Sequence, residues 1–308
     1  MRWLGGRESA NLEDQRGSGG GGGGGFPIRV GGGLGAIVIV VVGLFFGIDP
    51  GTLMAVLEGS GSLPEQAQTQ PQTQPRTRPA EDARYGAPRA GDAGDDQMRR
   101  FVSVVLADTE DVWRQIFREM GRTYQDPKLV LYSNSVRSHC GNASAASGPF
   151  YCPNDQKAYF DLSFFDDMKT RFKVSGDFAQ AYVIAHEIGH HVQNELGILG
   201  QAHAERARSD ERRSNAISVR IELQADCFAG VWAHHADRAR QILEQGDVEA
   251  ALNAASSVGD DRLQRQTRGT VVPDAFTHGS SAQRVAWFKR GLERGKMKEC
   301  DTFAASQP

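Results

Sequence analysis

The sequence predicts an α+β fold, mainly helical with a small sheet, preceded by one transmembrane helix. Three observations support this prediction. An uncharged apolar run covers residues 30–48, a stretch rich in Pro, Gln and Thr follows it, and residues 97–308 combine helical apolar periodicity with a few short extended segments. The chain has 308 residues, but the composition of its first third is not that of a globular core. We therefore expect one folded domain after this first third.

The N-terminal region is predicted to anchor the chain in a membrane. Residues 1–29 are expected to form a disordered cytoplasmic tail, because residues 17–25 are nearly all glycine. Residues 30–48 have the length of a membrane-spanning helix. Arg29 on one flank and Asp49 on the other place the N-terminus in the cytoplasm by the positive-inside rule.

Two alternatives for the apolar run are a cleaved signal peptide and a buried soluble helix. The run is long for a signal peptide, and no A-x-A cleavage site follows it directly. The glycine-rich and polar flanks argue against a buried helix. We therefore expect a single uncleaved span of the inner membrane, with the C-terminal domain on the periplasmic or extracellular side.

The remaining chain is predicted to contain a linker and a folded domain. Residues 49–96 should form an extended, partly polyproline linker. Residues 97–308 should form the domain, which begins with an amphipathic pattern over residues 101–120. Further along, extended segments are predicted at residues 128–132, 150–151 and 158–162, and helices at residues 240–252 and 280–292.

The most informative stretch is AYVIAHEIGHHVQNEL, residues 181–196, whose apolar residues recur at helical spacing. Residues four apart share one helix face, so the imidazoles of His186 and His190 can bind one metal ion. Glu187 could then take a proton from the attacking water and return it to the leaving amine. This is the zincin arrangement. Two partly exposed histidines on an amphipathic helix are the alternative.

A catalytic zinc ion takes three protein ligands and leaves a fourth position for water, so a third ligand is needed. The stretch IELQADCFA supplies Glu222 and Asp226, four residues apart on a second predicted helix. We expect Glu222 to bind the metal and Asp226 to accept the N–H of a ligand histidine. Two solvated surface acids are the alternative, but the apolar neighbours indicate a half-buried helix where unpaired carboxylates are costly.

Four blocks in order carry a family resemblance: CGNASAASGPFYCPNDQKAYFDLSFF, HEIGHHVQ, ELQADCFAGVWA and HGSSAQRVAWF. Over about residues 101–303 the chain resembles the predicted neutral zinc metallopeptidase family of bacterial membrane-anchored proteins. The HExxH plus ExxxD pairing also resembles the broader gluzincin clan. The resemblance implies a zincin-like domain in which His186, His190 and Glu222 bind one zinc ion and Glu187 is the general base.

Two further features concern the cleft. In zincins a strand near the metal-site helix commonly pairs with an extended substrate, and by analogy residues 158–162 are predicted to be that edge strand. A hydrogen-bond donor opposite the metal would stabilise the negative charge on the carbonyl oxygen. His278 is predicted to be this catalytic donor, with Arg284 as a second candidate. The alternative is that the HGSSAQR stretch only caps a helix.

The cysteines predict disulfides. Four cysteines follow the apolar run, and an even number on the oxidising side of a membrane favours disulfide bonds. Three pairings are possible, of which we favour Cys140 with Cys152 and Cys227 with Cys300. A thiolate zinc site is the alternative, but C-x-x-C spacing is missing.

The sequence therefore predicts a membrane-anchored zinc metalloendopeptidase acting on peptide or protein substrates. A net charge of −3 and the mixed charges of residues 201–220 argue against a nucleic-acid partner. A catalytically inactive zincin-like binding module and an envelope scaffold protein are the two alternatives. The substrate and the oligomeric state are open at this point.

Overall fold

A computed structural model gives the fold of the protein and describes residues 1–16 and 90–305. The helices of this part of the chain are α1 (Ala90–Glu119), α2 (Ser163–Thr170), α3 (Asp177–Glu195), α4 (Ile198–Arg206), α5 (Glu211–Arg240), α6 (Asp247–Ser257), α7 (Asp260–Arg268) and α8 (Ser281–Arg294). The strands are β1 (Leu12–Asp14), β2 (Lys128–Tyr132), β3 (Ser135–Ser138), β4 (Gly141–Ser144), β5 (Phe150–Cys152) and β6 (Lys157–Asp161). The predicted mainly helical α+β fold with a small sheet is confirmed.

The main sheet has the strand order β1-β2-β6-β5. β1 and β2 are parallel, β2 and β6 are parallel, and β5 and β6 are antiparallel. The prediction that residues 158–162 form an edge strand was wrong, because β6 lies between β2 and β5. The edge strands are β1 and β5, and β5 returns antiparallel along β6 so that Cys152 lies opposite Lys157.

Local signals explain where α5 begins and where α8 begins and ends. α5 begins after Asp210, whose side chain accepts the backbone N–H of Arg213. α8 begins after Ser280 with a reciprocal capping box that includes Gln283. It ends at Gly295, which has a φ of 60°.

The core lies where α5 crosses α3 and α8. Trp113 of α1 packs edge-on against Phe228 at 5.7 Å between ring centroids, and Phe178 stacks on Trp232 at 5.9 Å. Two glycines let the backbones of α5 and α8 come into contact at one crossing point. A Cβ at Gly230 would lie 2.2 Å from the oxygen of Phe288, and one at Gly291 would lie 2.0 Å from the oxygen of Cys227. Side chains at these two positions would force the helices apart.

Both favoured disulfides are present. Cys140 bonds Cys152 across a separation of 12 residues, and Cys227 bonds Cys300 across 73 residues. The first disulfide joins the β3–β4 hairpin to the edge strand β5. The second disulfide joins the middle of α5 to the C-terminal region.

The N-terminal residues differ most from the sequence-based expectation. Residues 1–29 were predicted to be a disordered tail, yet residues 1–16 pack against the domain and contribute strand β1. The Trp3 side chain is only 7% exposed and belongs to the main hydrophobic core. This short segment has no helical or strand periodicity long enough to reveal such docking.

The predicted anchor at residues 30–48 and most of the predicted linker at residues 49–96 lie outside the described residues. The helix α1 begins at Ala90, inside the predicted linker. Within the described ranges, no helix combines the length and the apolar character needed to cross a membrane.

Candidate metal centre

Two helices bring the three predicted metal ligands together. His186 and His190 lie on α3, Glu222 lies on α5, and one ligand atom from each lies within 4.8 Å of the others. The Nε2 atom of His186 is 3.3 Å from Oε2 of Glu222, and Nε2 of His190 is 3.5 Å from Oε1 of the same carboxylate. The four-residue spacing on α3 therefore produces the convergence that the sequence predicted.

A close approach of the two helices makes this convergence possible. Gly189, between the two histidines, faces the backbone of Ala225 on α5. A Cβ added at Gly189 would lie 2.9 Å from the Ala225 oxygen, a distance that side chains do not tolerate. Because Glu222 and Asp226 flank this contact on α5, the glycine sets their distance from the histidines.

Hydrogen bonds to the outer ring nitrogens fix both histidines. Nδ1 of His186 lies 2.9 Å from Oδ1 of Asp226, and Nδ1 of His190 lies 2.9 Å from Oε1 of Gln193. The Gln193 amide nitrogen donates to the oxygen of Ile221 at 2.8 Å and to the side-chain oxygen of Gln224 at 3.0 Å, so its own oxygen is an acceptor.

Both imidazoles consequently carry a hydrogen on Nδ1, because Asp226 and Gln193 offer only acceptors to these atoms. The Nε2 atoms face Glu222, and a cation bound between them would take the place of a proton on each. Two imidazole nitrogens and one carboxylate form the His₂Glu donor set that suits catalytic zinc. The residues present therefore fit the metal that the sequence predicted.

Asp226, the residue in contact with Nδ1 of His186, is fully buried. Asp226 has no exposed surface, and its carboxylate also accepts hydrogen bonds from Tyr182 Oη and from Arg284, with Arg284 Nε 2.8 Å from Oδ2. Burial raises the pKa of Asp226, but the charges of Arg284 and His186 outweigh this effect and lower it below its usual range. Asp226 is therefore an anion in contact with Nδ1 of His186.

Arg284 has a structural role in this network. It is 4% exposed and binds both oxygens of Asp226. Its guanidinium thus binds the buried carboxylate through Nε and Nη2, and donation to a substrate carbonyl stays a prediction. The sequence analysis missed Tyr182. It lies one helical turn before His186 on the same helix face, so helical spacing could have predicted its place in this network.

Glu187 is buried beside the two histidines. It is 7% exposed. Burial raises the pKa of Glu187, and the nearby charges of His190 and His186 only partly oppose this effect. A carboxylate with a raised pKa is a better proton acceptor near neutral pH, as general-base catalysis requires. For Glu222, by contrast, the charge of His190 and the hydrogen bond of His186 outweigh burial and hold its pKa below the usual range.

Asp260 holds His278 in the loop before α8. Oδ2 of Asp260 accepts the backbone N–H groups of Thr277, His278 and Gly279 at 2.7, 2.6 and 3.0 Å. Its Oδ1 lies 3.2 Å from Nδ1 of His278. Burial lowers the pKa of His278, but the hydrogen bond of Asp260 and the charge of Glu222 outweigh it and raise the pKa. The charge of Glu222 thus acts on His278 across the site.

Hydrogen bonds connect the edge strand β5 to α3, the helix that carries His186 and His190. The Tyr151 hydroxyl lies 2.9 Å from Nδ1 of His191 and accepts from Asn194 at 3.2 Å. Nε2 of His191 donates to the oxygen of Gln125 at 2.6 Å, so its Nδ1 accepts from Tyr151. Burial lowers the pKa of His191 to about 4, which keeps the ring neutral as this bonding requires. The third histidine of HEIGHH is thus structural.

Comparisons with known proteins give the family of the chain. The sequence profile of the family described as "Putative neutral zinc metallopeptidase" matches residues 1–303. "Uncharacterized protein YpfJ" of Escherichia coli (strain K12) is 47% identical over 310 residues, which cover 99% of this chain and 100% of that protein. "Uncharacterized protein Rv2575" of Mycobacterium tuberculosis is 44% identical over 217 residues, covering 67% of this chain and 72% of that protein. No solved structure matches. Because the family profile spans nearly the whole chain, the protein belongs to this neutral zinc metallopeptidase family.

Proposed function

We propose that the protein is a zinc-dependent endopeptidase that binds one zinc ion per chain through His186, His190 and Glu222. The observation that carries this proposal is the state of the two imidazoles. Each is held by its Nδ1 atom and directs its Nε2 atom toward the Glu222 carboxylate. Three donors oriented in this way, with a neighbouring carboxylate left over, suit a catalytic rather than a closed structural site.

A zinc ion bound there would polarise the scissile carbonyl of a peptide and lower the pKa of the attacking water to near neutral. The side chains of the protein would supply the remaining steps. Glu187 accepts the proton of the water during attack and gives it to the leaving amine. Asp226 keeps the His186 ring in one orientation throughout, and Gln193 does the same for His190.

His278 is our candidate for stabilising the carbonyl oxygen. Asp260 binds three consecutive backbone N–H groups of this loop and the ring nitrogen Nδ1, so the opposite nitrogen Nε2 has a fixed direction. A donor held in advance at the place where charge develops contributes more than a mobile one. Asp260 acts in this proposal as a positioning residue.

The location of the enzyme is a separate proposal. We propose that the domain works on the periplasmic or extracellular side of the inner membrane, because its two disulfides suit an oxidising compartment. Residues 30–48, for which the sequence predicts a membrane anchor, lie outside the described residues. The substrates would be peptides or proteins, as the family description suggests.

Metal analysis of the full chain tests the proposal. We expect about one zinc ion per chain in the wild type and its loss in His186→Ala and Glu222→Ala. His139→Ala is the matched control, because His139 is exposed and lies outside the ligand group. Wild-type protein should cleave denatured casein, and a chelator should stop the cleavage.

Other outcomes would contradict specific parts of the proposal. If zinc persists in Glu222→Ala, the third ligand is a different residue. If the wild type binds zinc but cleaves nothing, the inactive binding module becomes the better interpretation. If no transition metal is found, the envelope scaffold becomes the better interpretation.

A further inference from the structure

The N-terminal segment, residues 1–16, forms part of the domain by main-chain pairing. Leu12, Glu13 and Asp14 pair in parallel register with residues 129–131 of β2. The amide of Leu129 donates to the oxygen of Asn11 at 3.0 Å, and the amide of Gln15 donates to the oxygen of Leu131 at 2.8 Å. Without this segment, one edge of β2 would expose unpaired backbone groups.

An aromatic anchor connects the same segment to the metal-site helix. The Trp3 ring packs edge-on against Phe101 at 5.4 Å, and its Nε1 donates to Oδ2 of Asp177 at 2.8 Å. Asp177 is the first residue of α3, the helix that carries His186 and His190. The segment therefore supports the N-terminal end of the helix on which the metal site depends.

A buried acid on α1, Glu110, forms hydrogen bonds with three further side chains of the segment. Glu110 is 1% exposed and accepts hydrogen bonds from Ser9 Oγ, from Asn11 Nδ2 at 2.9 Å and from Arg7 at 3.1 Å. Burying a carboxylate is costly unless such partners are present. The domain surface is thus built to hold this particular stretch of sequence.

The segment does not cover the metal site. It lies on the β1 edge of the sheet, whereas the strand fastened to α3 is β5 at the opposite edge. Removal of the segment would not uncover the active site, which argues against an inhibitory role. The family profile also begins at residue 1, so the segment belongs to the pattern of the family.

These contacts conflict with the predicted membrane orientation. A segment that pairs with the domain cannot lie on the far side of a bilayer whose hydrocarbon core is about 30 Å thick. We propose that residues 1–16 are a permanent part of the peptidase domain and lie on the same side of the membrane as the active site. A single span with a cytoplasmic N-terminus and an external domain is excluded by this proposal. The proposal rests on the docking contacts and is independent of peptidase activity.

The docking is tested first by stability of the full chain. Trp3→Ala should lower the melting temperature by about 5–15 °C, because it removes a buried aromatic side chain and its hydrogen bond. The matched control is Leu4→Ala, the next residue, which is 78% exposed and should leave the melting temperature within about 1 °C of wild type. An unchanged melting temperature for Trp3→Ala would overturn the proposal.

The sidedness is tested by labelling in cells. Leu4→Cys reports on the segment, and Met120→Cys, at a position 47% exposed, reports on the domain. Bacterial spheroplasts that express either full-length variant are treated with a membrane-impermeant maleimide before and after lysis. Equal ratios of intact to lysed labelling for both cysteines are expected. Labelling of one cysteine in intact spheroplasts and of the other only after lysis would overturn the proposal, as would a mature protein whose mass shows that residues 1–16 have been removed.

Discussion

The metal centre and the docked N-terminal segment hold their charged groups in different ways. In the metal centre, Asp226 is completely buried and binds partners from two other helices. On the segment, Glu13 bridges Lys128 and Lys157, whose side chains are 54% and 27% exposed. Water cannot take the place of the partners of Asp226, whereas it can take the place of the partners of Glu13. Substitutions should therefore affect metal binding and turnover in one region and only stability in the other.

The largest effect is expected for Glu187→Gln. The amide keeps the shape of the side chain but cannot accept the proton of the attacking water, so turnover should fall about 10²- to 10⁴-fold. Zinc content should stay at the wild-type level, because Glu187 is outside the ligand group. Cleavage of denatured casein and metal analysis of the same preparation measure the two quantities. Wild-type turnover in this variant would remove Glu187 from the mechanism.

A smaller effect on the metal is expected for Asp226→Asn. The variant can no longer offer a charged acceptor to His186 and leaves Arg284 without its anion, so zinc affinity should fall about 10- to 100-fold. Competition with a chromophoric chelator measures the affinity. Asp237→Asn on the same helix is the control, because the Asp237 carboxylate accepts the backbone N–H of Leu243, after the end of α5. Equal affinities for the two variants would show that the buried network does not tune the metal.

The metal centre was largely predictable because its geometry comes from local spacing. His186 and His190 are four apart on one helix, and so are Glu222 and Asp226, so each pair converges once the helices form. Gln193 follows His190 by three residues and could have been predicted by the same rule.

The positions of Asp260 and Trp3 were not predictable in this way. Asp260 binds His278 at a separation of 18 residues, and Trp3 binds Asp177 at a separation of 174 residues. The edge position of β5 likewise depends on strand pairing that periodicity does not specify. Such contacts depend on the assembled fold, and no pattern within one stretch of sequence encodes them.

A substitution at the contact between α3 and α5 should lower the stability of the fold as well as zinc binding. Gly189→Ala places a methyl group against the backbone of Ala225, which should cost about 1–3 kcal/mol of unfolding free energy and weaken zinc binding. Gly200→Ala is the control, since Gly200 lies in helix α4 with open space around it and alanine should stabilise by up to about 1 kcal/mol. Denaturant unfolding with and without zinc measures both. Similar stabilities would contradict the close helix approach.

The smallest effect is expected for Glu13→Gln on the docked segment. The hydrogen bonds of Lys128 and Lys157 lower the pKa of Glu13 below its usual value, so its charged form stabilises the fold. Because the pKa is lowered in the folded state, this contribution is complete above pH 4.5 and is lost as the pH falls through the folded pKa. At pH 7 the variant should be about 0.2–1 kcal/mol less stable than wild type, since these ion pairs are partly exposed. Urea unfolding at several pH values should show the two proteins converging in acid. A difference that persists in acid would mean that Glu13 stabilises the β1 edge by packing and not by charge, and the contrast with the buried charges of the metal centre would then lose its basis.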